Sequence, residues 1–401
     1  MDKTVDFLIV GAGFSGLVVA ERLAAAGWNC VVVDRRDHLG GNAYDATDQL
    51  GVLTHRYGPH YFRSNSSRIV DYLSRFTSWH RVDYQIKSFT DDRYWSFPIN
   101  LNTFEELLGR SATTSEFEAW LAEHRENIPN PQNSEEVILS QVGREFYERF
   151  FEGYTLKHWK RHPRELDPSV CGRIPIRTNR DDNYLRETFQ ALPKDGYTAL
   201  FERMLDASPG VSLHLGVDFH EARKRWKYRH LVFTGPIDEY FGRHLGPLPY
   251  RSLRFETESF TASQLKEREP IAGKPGFWQP NMQVNYPDPN IPFTRIVEIK
   301  HATGQNIAAS NIVREYPKDW HPGDEPYYPI PASDAAAVYR QYAALAKRET
   351  NVSFIGRLAT YRYYNMDQVT GMAIAESERL LKRYGRPNPA PPKNHSSPPP
   401  S

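Results

Sequence analysis

Val5-Asp6-Phe7-Leu8-Ile9-Val10-Gly11-Ala12-Gly13-Phe14-Ser15-Gly16 opens the first unit of this chain, and the run Cys30-Val31-Val32-Val33 ending in Asp34 closes it. An apolar strand, a glycine turn, an amphipathic helix over Leu17 to Ala26, a second strand and an acid follow at the spacing of a dinucleotide-binding βαβ unit. Each glycine has its own task. Gly11 permits the tight turn, Gly13 lets backbone N–H groups approach a pyrophosphate, and Gly16 lets the helix lie close on the strands. The Asp34 carboxylate is placed to take the ribose hydroxyls.

The residues just past the acid select the dinucleotide. Arg35-Arg36-Asp37-His38-Leu39-Gly40-Gly41-Asn42-Ala43 adds a second glycine pair, which resembles FAD proteins of the glutathione-reductase and amine-oxidase type. A plain NAD domain has no need of it. Arg36 has the charge to meet a 2′-phosphate, but an intact acid at Asp34 argues against NADP, so FAD is the expected cofactor.

Length and charge bound the rest. A chain of 401 residues can bury more than one core. Its formal charge of +1 with no basic block points away from nucleic acid and from an anionic membrane surface, so an anion site must be local. Cys30 and Cys171 are the two cysteines, in no CxxC or CxxH spacing, which argues against disulfides and zinc and for a reducing cytoplasm. The N-terminus runs straight into a strand without a signal-peptide pattern, and no apolar run approaches the ~20 residues of a membrane span.

Composition shifts divide the chain. Residues 1–80 form the FAD-binding part, expected to continue over about 195–245 and 345–385, where His230 to Gly235 and Val352 to Gly356 read as returning strands. Residues 102–165 have helical spacing, as in Glu116 to His124 and Glu135 to Tyr154, and read as a helical insertion. Residues 166–194 and 246–330 carry short β-branched and aromatic runs, from Ile174 to Tyr184 and from Tyr250 to Tyr316, and read as an antiparallel sheet domain. Residues 386–401 are Pro, Ser and Asn with almost nothing apolar, the composition of a disordered tail.

Ordered segments along nearly the whole chain carry a family resemblance. Gly58-Pro59-His60, Phe97-Pro98-Ile99-Asn100-Leu101, Tyr154-Thr155-Leu156-Lys157-His158-Trp159 and Arg173-Ile174-Pro175-Ile176-Arg177 come first. Asp181-Asp182-Asn183-Tyr184, Thr234-Gly235-Pro236, Glu325-Pro326-Tyr327-Tyr328-Pro329 and Gly356-Arg357-Leu358 continue in the same order. Together they resemble the bacterial UDP-galactopyranose mutases.

That resemblance implies an α/β fold, with a Rossmann-like FAD domain, a helical insertion domain and an antiparallel β-sheet domain around a nucleotide-sugar cleft. It implies interconversion of UDP-galactopyranose and UDP-galactofuranose by reduced FAD, through a covalent adduct between flavin N5 and the sugar, in cell wall polysaccharide biosynthesis. A UDP-sugar substrate, an electron donor and a homodimer come with it. Positions matching the family's diphosphate residues are Arg173 and Arg295. Tyr184, Tyr328 and Tyr363 match tyrosines that bond the phosphates, and Tyr154 and Trp159 match aromatics near the uridine and a lid over Gly153 to Pro163. His60 matches a histidine beside the flavin, and Arg35, Gly41, Asn42, Arg357 and Met366 fall where FAD would meet the chain; His55 reads as structural. The chemistry agrees: a guanidinium keeps its charge and grips phosphate oxygens through two bonds, while Tyr and Trp offer flat surface and a polar tip.

Two departures from the family pattern matter. Where the family reads Gly-Pro-His-x-Phe-His-Thr, this chain has Arg63 in place of the second histidine, a fixed cation with five donors. Arg63 suits the carbonyl oxygen of a 2-acetamido group, which suggests UDP-GalNAc as a substrate; the plainer alternative is a contact with phosphate or solvent and an unchanged substrate. Asn365 stands where the family has Asp, removing a negative charge near the flavin. Competing readings are an amine-oxidase-type flavin oxidase, a non-catalytic FAD protein, and a nicotinamide-dependent sugar dehydrogenase, for which no Tyr-x-x-x-Lys relay is present.

Overall fold

The computed structural model describes residues 3–330 and 333–386. Beyond Arg386, the tail expected over 386–401 lies outside the described residues. No helix among the described residues is long and apolar enough to cross a membrane, and no cluster of metal-ligating side chains occurs among them.

The opening unit folds as its pattern dictates. Lys3–Val10 and Cys30–Asp34 pair in parallel, and three further parallel strands complete a sheet in the order Val211–Leu215, Cys30–Asp34, Lys3–Val10, Trp226–Phe233, Val352–Phe354. The central strands are buried on both faces, which is why they read as continuous apolar runs rather than alternating ones. The helices Phe14–Ala25 and Met366–Tyr384 pack on one another beside this sheet. Both end their N-termini at its C-terminal edge, where open parallel sheets bind ligands.

A second sheet of seven strands runs Tyr328–Pro329, Tyr250–Phe260, Ser310–Asp319, Arg295–Val297, Gln283–Asn285, Ile86–Thr90, Arg93–Phe97. All its pairs are antiparallel except Gln283–Asn285 with Ile86–Thr90. Residues 86–97 thus add two strands from outside the expected sheet segments 166–194 and 246–330. Their turn, Asp91-Asp92, has positive φ at both residues (52° and 54°), the backbone of a tight hairpin turn that Asp tolerates. Leu101–Leu108, Thr114–His124, Ser134–Phe146, a π-helical turn at Tyr147–Glu152 and Gly153–Trp159 make the helical part.

The strands expected between Ile174 and Tyr184 do not form. Residues 174–184 are irregular apart from one bridge between Gln85 and Asn183. Pro175 cannot donate to a ladder, and the local backbone is satisfied singly, Arg177 N by Ile99 O at 3.1 Å and Tyr184 N by Tyr84 O at 2.8 Å. Farther along, Phe189–Pro193 is a strand, but it pairs with Phe62–Ser64 and Trp79–Arg81 in a separate three-stranded sheet.

Candidate active site

Two cavities meet at the edge of the parallel sheet. The first, about 600 Å³, is lined by Gly11, Gly13, Asp34, Arg35, Gly41 and Asn42 among others. It lies between the two glycine turns: a Cβ on Gly13 would come within 3.6 Å of Gly40 O and Gly41 Cα. Gly13 also precedes the N-terminus of the helix Phe14–Ala25, whose free N–H groups and dipole favour an anion there. Gly16 does not line the cavity. A Cβ there would stand 1.9 Å from Gly11 O, so its task is the close seat of helix on strand, and at Gly11, with φ +108°, a Cβ would run into Thr234 Oγ1.

Asp34 accepts backbone N–H groups through both oxygens, from Ala12 at 2.8 Å and Arg36 at 3.0 Å, which fixes the carboxylate at the cavity wall. Arg36 is committed elsewhere: its guanidinium pairs with Glu325 at 2.5 Å, donates to Asn42 at 2.7 Å and stacks on Tyr57. Arg35 also pairs with Glu325, at 2.8 Å. With both arginines holding a carboxylate, the wall is poorly made for a 2′-phosphate, and the glycine cradle fits a flavin dinucleotide.

The second cavity, about 190 Å³, is lined by His60, Arg63, Tyr154, Trp159, Arg173, Tyr184, Arg295, Tyr328, Arg357 and Tyr363, so every residue expected to meet substrate reaches it. Asn42, His60, Arg357, Asn365 and Met366 line both cavities and form the junction. His60 Nδ1 lies 2.9 Å from Gly58 O, which can only accept, so Nδ1 carries the proton and Nε2 is left as an acceptor. Burial holds this imidazole near pKa 3, neutral at physiological pH. His55 Nδ1 accepts the His60 backbone N–H at 3.1 Å and so supports the turn.

The cationic side of this cavity is graded. Arg295, on the strand opposite Asn285, pairs through Nε with the fully buried Glu315 at 2.7 Å. Burial pushes the Glu315 carboxyl above its ordinary value although Arg295 pulls it down. Arg357 is aimed by carbonyl groups only, those of Tyr364 (2.6 Å) and Tyr327 (3.4 Å). No ion pair joins Arg173 or Arg357 to a carboxylate among the described residues; both guanidiniums lie over the Tyr363 ring, 5.1 and 5.0 Å from its centre. Tyr363, 43% exposed, stands at the mouth and stacks on Tyr328 at 5.3 Å. Desolvation pushes its phenol up, and Arg173 and Arg357 more than reverse this, to about 8.

Arg63 and Asn365, the two departures, touch each other. Arg63 Nη2 donates to Asn365 Oδ1 at 3.0 Å and its Nε lies 3.4 Å from Glu187. Asn365 meanwhile caps the helix Met366–Tyr384 in a capping box with Gln368. The two departures are one contact, made across 302 residues of chain.

Three further side chains, absent from the expected set, belong to the site. His158, one turn after Tyr154 and stacked parallel to it, lines the second cavity, and its Nδ1 is buried without a partner; the i, i+4 spacing was a readable signal. Asn285 enters by pairing with Arg295, and Glu315 comes from a distant strand, neither with a local sign in the sequence.

The family model described as UDP-galactopyranose mutase matches residues 149–363, and one for an NAD(P)-binding Rossmann-like domain matches residues 9–76. A Klebsiella pneumoniae protein described as "Probable UDP-galactopyranose mutase" is 35% identical over 379 residues, 94% of each chain. An Escherichia coli "dTDP-fucopyranose mutase" is 33% identical over 383 residues, 94% of this chain and 98% of its own. Among solved structures, a reduced UDP-galactopyranose mutase superposes with a TM-score of 0.73 at 16% identity, covering 95% of this chain and 96% of its own, and putrescine oxidase shares the fold at 0.59 and 13%, covering 96% and 100%.

Proposed function

The chain belongs to the UDP-galactopyranose mutase family, FAD-dependent isomerases, and from that premise we propose that it interconverts the pyranose and furanose forms of a UDP-hexose, galactose or N-acetylgalactosamine. The observation that carries this reading is the junction itself: a glycine-cradled dinucleotide cleft opening into a small cavity lined by Arg295 and by Arg173 and Arg357, the last two without a carboxylate partner among the described residues. When bound and reduced, FAD supplies a nucleophilic N5 at that junction.

The protein's part is to hold UDP while its bond to the sugar breaks and re-forms. Arg173 and Arg295 grip the diphosphate, whose charge rises as it leaves, and Tyr184, Tyr328 and Tyr363 donate hydroxyls to its oxygens. Fixed cations in a site partly closed to water stabilise that charge without reorganising. Tyr154 and Trp159 offer flat surface to the uracil. His60, neutral, presents an acceptor nitrogen beside the flavin ring rather than a competing cation. An amine substrate, itself cationic, would be repelled by the same arginines, which disfavours the oxidase reading.

Arg63 bears on the sugar. Asn365 and Glu187 take two of its donors and hold the guanidinium at the cavity wall, leaving the others for the carbonyl oxygen of a 2-acetamido group. The test is anaerobic: dithionite-reduced protein with UDP-galactofuranose, UDP-GalNAc-furanose or dTDP-fucofuranose, followed by chromatography for the pyranose. Conversion of the UDP-sugars is expected, and no conversion of either would sink the proposal. Arg63→His is expected to cut the GalNAc-to-galactose ratio of kcat/KM by about tenfold or more, the worth of one charge-assisted hydrogen bond of ~1.5–3 kcal/mol. An unaltered ratio would return Arg63 to a contact with phosphate or solvent.

The same pair bears on the flavin. Asn365→Asp places a carboxylate at the junction and is expected to make the FAD midpoint potential more negative, by about 20 mV for each ~1 kcal/mol of added repulsion. A spectroelectrochemical titration reads this directly, and a positive shift, or none, would show that residue 365 does not act on the flavin through its charge.

A further inference from the structure

Lys157 belongs to the helix Gly153–Trp159 and points away from the substrate cavity, yet it holds the most heavily bonded ammonium among the described residues. Its Nζ donates to the main-chain carbonyls of Tyr286, Asp288 (2.8 Å), Ile291 (3.0 Å) and Phe293 (3.0 Å). With three N–H groups for four acceptors, one proton is shared. All four carbonyls belong to one hairpin loop, 286–294, joining Gln283–Asn285 to Arg295–Val297. The two strands face each other in register Asn285 to Arg295, and both of those side chains line the substrate cavity.

Another face of the lysine's helix reaches that cavity. Tyr154 and His158, one turn apart, line the cavity with Trp159. A second contact ties helix to loop: a Cβ added at Gly153 would come 2.4 Å from Pro287 O, so the helix rests on the loop with no room for a side chain. Opposite, the buried Arg251 donates through Nε to His158 O at 3.0 Å. The helix is thus pinned from two directions.

We propose that Lys157 is a positioning residue: its ammonium plugs a cage of loop carbonyls and so makes the aromatic wall of the UDP site, Tyr154 with Trp159, and the cationic wall, Asn285 with Arg295, a single rigid body. This rests on the reading that the cavity binds a UDP-sugar. The carbonyls of such a short loop would otherwise face one another and open it; a central cation holds them together, as a bound metal ion would. Burial pulls the Lys157 ammonium down to about 8, still charged at neutral pH, where it neutralises the cage. The rigid span ends at Trp159, because Lys160 has a left-handed backbone (φ 54°) and closes the helix.

The experiment measures UDP affinity of the FAD-loaded protein by isothermal calorimetry for wild type, Lys157→Met and Gly153→Ala. Methionine keeps the apolar stem and removes the ammonium; alanine pushes on Pro287 O while leaving the cage charge intact. Each is expected to weaken UDP binding about tenfold, the worth of one charge-assisted hydrogen bond to the diphosphate lost by misplacement, and to raise KM more than it lowers kcat. In Lys157→Ala, ethylammonium chloride is expected to restore part of the affinity where equal sodium chloride does not. If wild type fails to bind UDP, the functional reading fails. If wild type binds and both variants bind within twofold of it, the positioning role is overturned, even should their melting temperatures fall. Should Lys157→Met not fold, Gly153→Ala decides by the same criterion.

Discussion

Arg295→Ala is expected to lower kcat/KM by about 10³-fold, ~4 kcal/mol of transition-state stabilisation, the scale of losing one group aimed at developing charge. Two consequences follow from one deletion. The diphosphate loses a cation, and Glu315, fully buried and bonded to Arg295 at 2.7 Å, is left without its partner beside an incoming anion. Removing one partner of a buried pair costs about 3–5 kcal/mol of stability. The effects can be parted. Arg295→Ala with Glu315→Gln removes the orphaned charge and is expected to recover most of the urea midpoint but little of the activity. Arg295→Ala retaining kcat/KM within tenfold of wild type would remove Arg295 from the diphosphate site.

Gly16→Ala should produce protein that retains little or no FAD, with a large fall in melting temperature. The added methyl meets Gly11 O at 1.9 Å and Ile9 Cγ2 at 3.2 Å, and the first is backbone that cannot swing away. The helix Phe14–Ala25 must lift from the sheet, and overpacking of this kind costs ~1–3 kcal/mol or more. Gly13→Ala provides the contrast. Its methyl meets nothing nearer than 3.6 Å and stands at the cavity, so it is expected to leave the apoprotein's melting temperature nearly unchanged while weakening FAD binding. Flavin absorbance per protein and thermal unfolding of the apoproteins read the two apart. Equal apoprotein stability for Gly16→Ala and wild type would contradict the seat assigned to Gly16.

The nucleotide unit was readable because its determinants are local. Strand, turn, helix and second strand span about thirty residues, and each glycine's requirement is set by neighbours within the same unit or the sheet it joins. The face of the helix Gly153–Trp159 is nearly as plain: Tyr154 and His158 share it by spacing alone, although the family resemblance points to Tyr154 and Trp159. The Asp91-Asp92 hairpin also had a sequence sign, two adjacent residues that tolerate positive φ between alternating strands. The failed strands at 174–184 show the limit of local reading. β-branched and aromatic residues favour strands, but a strand needs a partner, and the neighbours there satisfy the backbone one group at a time.

By itself the sequence determined a dinucleotide-binding α/β domain, its flavin, and the supply of arginines and tyrosines for an anionic substrate, because periodicity, turn chemistry and residue type act over short range. Tertiary structure alone decided how that supply is used. It set Arg295 against Asn285 and Glu315, joined Arg63 to Asn365 across 302 residues, and closed a hairpin loop around the Lys157 ammonium. Such contacts depend on sheet register and on which buried charge finds a partner, and these are settled only when distant segments pack and desolvate one another.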